Sequence, residues 1–116
     1  IGHAFASLQC NASGDGNNPF AQRNGTELYF FRPHSEPLGR AIQSRMAAYI
    51  DLPDQGVYYR SLAVVRNTWM PAVLVEGGFM MIPEQEHAMR TAEYQERYAR
   101  AVADGLEAYF KGIRAP

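Results

Sequence analysis

The sequence predicts an α/β domain in which a mixed, mostly parallel sheet carries helices on both faces. The four residues Ala72 to Val75 form an uninterrupted apolar run that leads into Glu76 and two glycines. Such a run is typical of a strand that is buried on both faces. Towards the end of the chain, apolar residues at i, i+3 and i+4 spacing between Tyr94 and Phe110 predict a long helix. With the segments between them, these patterns predict the order β, β, α, β, β, α.

Three further strands are predicted from runs rich in β-forming residues. They lie at Phe5–Cys10, Thr26–Phe31 and Leu62–Val65. In the first strand the period of two places Ser7, Gln9 and Asn11 on one face. The same alternation places Cys10 on the opposite face, where we expect a small buried side chain. The range 11–25, rich in Asn, Gly, Ser and Asp, is predicted to be a long loop.

Helices are predicted in three places. Ser35 is a suitable N-cap for the first helix, and Pro37 is tolerated in its first turn. The apolar stripe of that helix consists of Leu38, Ala41, Ile42, Met46 and Tyr49. A short helix is predicted to begin at Pro83–His87. Gly105 lies inside the stripe of the long helix, where we expect close packing against the sheet, and the helix is predicted to end at Lys111–Gly112.

Composition limits the classes of protein to which the chain can belong. Its 116 residues are 47% hydrophobic and 12% aromatic, which predicts one small packed domain covering residues 1–116. The 11 basic and 12 acidic side chains give a formal charge of −1, so there is no basic field for nucleic acid. The single cysteine excludes an internal disulfide framework. No apolar run approaches the ~20 residues of a membrane-spanning helix.

Glu76 is the leading candidate for a catalytic residue. In open α/β sheets, chemistry collects beyond the carboxyl ends of the strands. A carboxylate at such an end, beside glycines that let the backbone turn sharply, is positioned to act as a general acid or base. The alternative is a glutamate that simply leaves the sheet into solvent.

Several segments together resemble the C-terminal half of the zinc-dependent N-acetylmuramoyl-L-alanine amidases, which are bacterial cell-wall hydrolases. The segments that carry the resemblance are Phe5–Ala12, Gly25–Phe31, Ser35–Ile42, Leu62–Arg66 and Pro71–Phe79. The last of these is the most specific, and the match extends from about Phe5 to Phe110. The resemblance implies cleavage of the amide between the muramic acid lactyl group and L-alanine in peptidoglycan. It also implies that Glu76 transfers a proton from zinc-bound water to the leaving amine, in the bacterial envelope, periplasm or extracellular space.

The chain departs from that family at its metal ligands. The family binds zinc with a His and a Glu from the first half of the domain and with a His in a strand that reads Ser-x-His-x-Asn. The corresponding strand here has Gln9 at the ligand position, and a carboxamide is not among the usual zinc ligands. His3, His34 and His87 are scattered without metal-site spacing. We therefore expect zinc to be absent or incompletely bound, and the missing N-terminal half is a possible partner.

Two functions remain open at this point: a peptidoglycan amidase, and a non-catalytic peptidoglycan-binding or structural module that has lost zinc. Asn11 matches the family's Asn after the ligand strand and is a candidate to orient the site or contact substrate, although it also suits a turn. Arg66 is a candidate for binding a carboxylate of the peptide stem, or it is a plain surface arginine. Trp69, with Tyr58 and Tyr59, either stacks on a sugar or packs the turn before the buried strand.

Overall fold

The structure, a computed structural model, describes residues 2–12, 24–67 and 69–114. The strands are β1 (Phe5–Asn11), β2 (Thr26–Phe30), β3 (Asp54–Tyr59) and β4 (Ala72–Phe79). The α-helices are α1 (Glu36–Tyr49), α2 (Pro83–Met89) and α3 (Ala92–Arg114), and single 3-10 turns occupy Pro33–Ser35 and Ala63–Val65. Most of the loop predicted at 11–25 lies outside the described residues.

The four strands form one sheet in the order β1-β4-β2-β3. β1 pairs parallel with β4, and β2 pairs parallel with β3, whereas β2 and β4 are antiparallel. The sheet is therefore mixed and mostly parallel, as the sequence predicts. Every residue of β4 is buried, because this strand has a neighbour on each side and packed residues on its faces.

The helices α1 and α3 pack against each other on one face of the sheet. Their shared core consists of Leu28, Phe30, Val73 and Val75 from the sheet, Leu38, Ile42 and Met46 from α1, and Tyr94, Tyr98, Ala101 and Val102 from α3. On the opposite face, Val65 packs on Tyr29 and Leu74. The predicted helical cover is thus found on one face, while on the other the described residues provide a single 3-10 turn. None of the described helices has the length and apolar character needed to cross a membrane.

The prediction of a strand at Leu62–Val65 is wrong. Residues Ala63–Val65 form a 3-10 turn, and the strand that pairs with β2 is β3. The apolar residues at 62–65 were misleading because Val65 covers the sheet from above instead of joining it. β3 was missed because it begins with Asp54, Gln55 and Gly56, which are poor strand formers, and Gly56 has a φ of +90°.

Two side chains have roles that the sequence does not predict. Ser35 precedes α1, but instead of capping the helix its hydroxyl accepts a hydrogen bond of 2.9 Å from the backbone N of Ala72. This bond ties the start of α1 to the start of β4. Cys10 is exposed rather than buried, because β1 is the outer strand and the α3 residues beside it, Gln95 and Ala99, leave a shallow groove.

Gly105 is a close-packing site, but against α1 rather than against the sheet. A Cβ atom at this position would lie 2.6 Å from the Cα of Ile42, which is closer than carbon atoms can approach. The backbones of α1 and α3 therefore approach each other at this point only because residue 105 has no side chain.

We predict that Gly105→Ala destabilises the protein by about 1–3 kcal/mol, because overpacking between two backbones outweighs the gain in helix propensity. Gly112→Ala is the matched control, since a Cβ there meets nothing within 4 Å. Urea denaturation of both variants should show a lower unfolding free energy for Gly105→Ala and an unchanged or higher one for Gly112→Ala. Equal stability of the two variants would contradict the close approach of the helices.

Candidate active site

The pairing of the strands brings three polar residues into one row. In the parallel ladder Gln9 lies directly opposite Glu76. In the antiparallel ladder on the other side of β4, Glu27 lies opposite the same Glu76. Directly opposed residues project to the same face of a sheet, so all three side chains lie on the face away from α1 and α3. Gln9 and Glu76 are thus neighbours in the sheet, although Glu76 lies within β4 and not at the strand end where the sequence placed it.

Glu27 is a residue of the site that the sequence analysis missed. Its side chain is only 2% exposed. The Tyr29 hydroxyl and the Nδ2 atom of Asn11 each donate a hydrogen bond of 2.5 Å to its Oε1 atom. The alternation along β2 was the available signal, because it places Glu27 and Tyr29 together on the face opposite the apolar Leu28. A carboxylate in a strand whose residues are all buried requires such partners.

The hydrogen bond from Asn11 crosses the sheet. Since β4 lies between β1 and β2, this bond joins two strands that are not neighbours, close to the point where β4 continues from Glu76 into Gly77 and Gly78. Asn11 therefore holds the Glu27 carboxylate in place from the end of β1. This contact supports the orienting role considered for Asn11 over that of a simple turn residue.

Glu76 is a buried carboxylate with a raised pKa. The residue is 7% exposed, and its Oε2 atom meets no hydrogen-bond donor among the described residues. Burial raises the pKa of Glu76 to about 7, and the nearby negative charge of Glu27 adds to the increase. Desolvation and a like charge both disfavour the ionised form. At neutral pH the side chain is therefore divided between its acid and base forms, which suits it to accept and return a proton.

Tyr98 fixes β1 beside β4 from the helical side. Its hydroxyl donates to the carbonyl oxygen of Val75 at 2.8 Å and lies 3.1 Å from that of Gln9. Its ring packs directly on Gly77, where an added Cβ atom would lie 2.0 Å from the ring. Because Gly77 has no side chain, Tyr98 can reach β1 and β4 on the helical face of the sheet. This close contact explains why a glycine follows Glu76.

The other candidate residues lie farther from Glu76. Arg66 ends the turn at 63–65, on the same face of the sheet, and its Nε atom donates to the Ser61 hydroxyl at 3.0 Å. Trp69 is 92% exposed and precedes β4. It therefore lies at the opposite end of that strand from the carboxylates, and it does not join Tyr58 in a common surface next to Glu76.

The described residues do not fit a zinc site. Gln9 is exposed, and its Nε2 atom donates a hydrogen bond of 3.1 Å to Ser7 Oγ. Its remaining donor atom is a neutral amide oxygen, which zinc seldom accepts in proteins. Over residues 2–12, 24–67 and 69–114, no three His, Cys, Asp or Glu side chains are grouped closely enough to hold a metal ion. Among the described residues the site offers two carboxylates, two carboxamides and the hydroxyl groups of Ser7 and Tyr29.

We predict that Glu76→Gln stabilises the folded state in a pH-dependent way. Because the folded-state pKa of about 7 lies above the ordinary glutamate value of 4.5, the native protein binds more protons than the unfolded chain between these values. The parent's unfolding free energy should therefore fall as pH rises from 4.5 to 7, while that of the variant should not. The difference should reach up to about 3 kcal/mol above pH 7.

Urea denaturation between pH 4 and 8 measures this difference. Glu84→Gln, at an exposed glutamate in α2, is the control for loss of a surface carboxylate. If the difference in unfolding free energy between the parent and Glu76→Gln stays constant over this pH range, Glu76 is not held in a buried environment.

Comparison with known proteins identifies the family. Residues 2–108 match the family model described as N-acetylmuramoyl-L-alanine amidase. The chain is 31% identical over 111 residues to N-acetylmuramoyl-L-alanine amidase LytC of Bacillus subtilis, covering 92% of this chain and 21% of that relative. It is 29% identical over 109 residues to the probable cell wall amidase LytH of Staphylococcus epidermidis, covering 94% of this chain and 36% of the relative.

Solved structures agree with this result. The catalytic domain of CwlV, an N-acetylmuramoyl-L-alanine amidase from Bacillus (Paenibacillus) polymyxa var. colistinus, superposes with a TM-score of 0.84 at 32% identity. The N-acetylmuramoyl-L-alanine amidase from Clostridium difficile 630 gives the same TM-score at 27% identity. In both cases the match covers 94% of this chain and 58% of the solved one, so the chain spans little more than half of these structures. The family is in general zinc-dependent. The chain belongs to the N-acetylmuramoyl-L-alanine amidase family.

Proposed function

We propose that the protein carrying this segment hydrolyses the amide between the muramic acid lactyl group and L-alanine in peptidoglycan. The observation that supports this most directly is the buried Glu76, with its pKa of about 7 and its unpartnered Oε2 atom. The family assignment supports the same substrate, whereas Gln9 at the ligand position is the one feature of the described residues that the non-catalytic module would also explain. Residues 1–116 are then the C-terminal part of the amidase domain.

In this proposal Glu76 moves the proton. Hydrolysis of an amide requires that a water molecule lose a proton as it attacks and that the leaving amine gain one. A carboxylate with a pKa near the working pH performs both transfers, first as base and then as acid. Glu27 stays in place through its bonds to Tyr29 and Asn11. Its charge keeps the proton affinity of Glu76 high, because two neighbouring carboxylates resist ionising together.

The metal site is incomplete in this chain, in our proposal, because Gln9 stands where the family has its third ligand. Two further ligands in the family come from the part of the domain that precedes this segment. β1 is an outer strand, and Leu8 and Phe5 on it are 48% and 41% exposed, which is consistent with an additional segment covering this edge. We therefore propose the N-terminal part of the same domain as the partner of β1.

We also propose that the protein acts in the bacterial cell envelope or outside the cell, because that is where peptidoglycan lies. The relatives named cell wall amidases support this location. Recovery of the protein from the cytosolic fraction alone would contradict it.

We predict that Gln9→His, made in the full-length protein, increases both bound zinc and the rate of muramyl–alanine cleavage. An imidazole would complete three protein ligands and leave an open position, the arrangement of a catalytic zinc site. The parent should show weak cleavage and little zinc by elemental analysis. Glu76→Gln added to the Gln9→His variant should lower the rate by at least about 100-fold without removing the metal.

Two controls accompany this experiment. The isolated segment of residues 1–116 should not cleave the substrate, because the ligands from the preceding part of the domain are absent. Ser7→Ala tests whether loss of the Gln9 hydrogen bond alone changes the rate, which we do not expect. Equal cleavage by the parent and the Gln9→His variant would contradict the proposed defect, and full activity of Glu76→Gln would contradict the proposed base.

A further inference from the structure

Three arginines form a connected group where β2 and β3 end. Arg32 Nε donates to the backbone oxygen of Arg66 at 3.0 Å, and Arg66 Nε donates to Ser61 Oγ at 3.0 Å. Arg60 immediately precedes that serine and is held by a hydrogen bond of 2.8 Å from its backbone N to the oxygen of Phe30. We refer to Arg32, Arg60 and Arg66 as the arginine cluster.

The charges of the arginine cluster are not neutralised within the described part of the chain. Five basic side chains on the helices or at a helix end each form an ion pair with a glutamate one turn earlier. They are Arg40, Arg90, Arg97, Arg100 and Lys111. The cluster arginines have no carboxylate within ion-pair distance among the described residues. Instead, the Arg32 guanidinium lies 4.8 Å from the centre of the Phe31 ring, and that of Arg60 lies 5.6 Å from the centre of the Tyr29 ring.

Tyr29 connects the arginine cluster to the active-site carboxylates. Its hydroxyl donates to Glu27, while its ring contacts the guanidinium of Arg60. The Tyr58 ring lies 5.9 Å from the Tyr29 ring, which is itself buried, and is the more exposed of the two. One face of the sheet is thus acidic at Glu27 and Glu76, aromatic in the middle and basic at the arginine cluster.

This arrangement fits a ligand that is neutral at one end and anionic at the other. A long polyanion would bring negative charge beside both carboxylates, which is unfavourable. A peptide whose neutral scissile amide lies at Glu76 meets no such repulsion. An extended peptide advances about 3.5 Å per residue. A carboxylate roughly two or three residues beyond that amide would therefore be separated from Glu76 by about the length of the Tyr29 side chain, which lies between Glu27 and Arg60. A guanidinium binds such a carboxylate through two parallel hydrogen bonds.

We propose that the arginine cluster is a specificity site for a carboxylate on the peptide part of the substrate, with Arg60 as its direct contact. This inference rests on the proposed function, because the proposed function is what places the scissile amide at Glu76. Arg60 is the contact because its guanidinium lies on the Tyr29 ring and is exposed, whereas Arg66 already donates to Ser61. Arg32 and Arg66 add positive potential around it.

The test is a binding measurement by calorimetry with the full-length protein. The probes are two synthetic muramyl peptides that differ in one group, a free carboxylate two residues beyond the scissile amide or the corresponding primary amide. We expect the carboxylate peptide to bind roughly 5- to 20-fold more tightly. Arg60→Gln should remove this preference, and Arg60→Lys should keep part of it, because lysine retains the charge without the planar fork.

Arg45→Gln is the matched control, since it removes a charge on α1 without touching the cluster, and it should keep the full preference. Equal binding of the two peptides by the parent, or an unchanged preference in Arg60→Gln, would overturn the inference. Tighter binding of a glycerol phosphate oligomer than of the carboxylate peptide would overturn it as well, in favour of a polyanion.

Hydrolysis is recorded separately with the same peptides. Cleavage of both peptides without a difference in binding would contradict the specificity site and leave the proposed function intact. A carboxylate preference that depends on Arg60, in a protein that cleaves neither peptide, would support the binding site and contradict the proposed hydrolysis.

Discussion

The parallel pairing of β1 with β4 is the interaction on which the site depends. This ladder places Gln9 opposite Glu76 and brings Asn11 to Glu27 across the sheet. Tyr98 secures the ladder from the helical side, with its hydroxyl at the carbonyl oxygens of both strands. It reaches them only because Gly77 has no side chain. A shift of β1 by one residue would turn Gln9 away from the carboxylates.

The second constraint is electrostatic. Two carboxylates lie opposite each other across β2 and β4, and both are nearly inaccessible to water. Glu27 receives hydrogen bonds from Asn11 and Tyr29, whereas the Oε2 atom of Glu76 receives none from the described residues. We therefore propose that Glu76, and not Glu27, accepts the proton. This difference between two chemically identical side chains comes from their hydrogen-bond partners rather than from their positions in the sequence.

The sequence predicted the parts of the structure that repeat a simple period. The apolar run before Glu76 predicted β4, and the alternation around Gln9 predicted which residues of β1 share a face. It failed where long-range pairing decides the outcome. β3 begins with residues that disfavour strands and forms because β2 offers an edge, while Val65 covers the sheet without joining it. Glu27 was missed because it matters only as a neighbour of Glu76, which lies 49 positions away in the chain. The antiparallel pairing of β2 with β4 brings the two residues opposite each other.

We propose that burial, together with the nearby charge of Glu27, keeps Glu76 as a base that works at neutral pH. The most direct test of this proposal is a ¹³C NMR titration of the glutamate side-chain carboxyl groups, with the Glu76 signal assigned by its loss in Glu76→Gln. We predict a midpoint of about 7 for Glu76 and a lower midpoint in Glu27→Gln, because that variant keeps the hydrogen-bond acceptor but removes the charge. A Glu76 midpoint at the ordinary glutamate value of 4.5, unchanged in Glu27→Gln, would contradict this proposal.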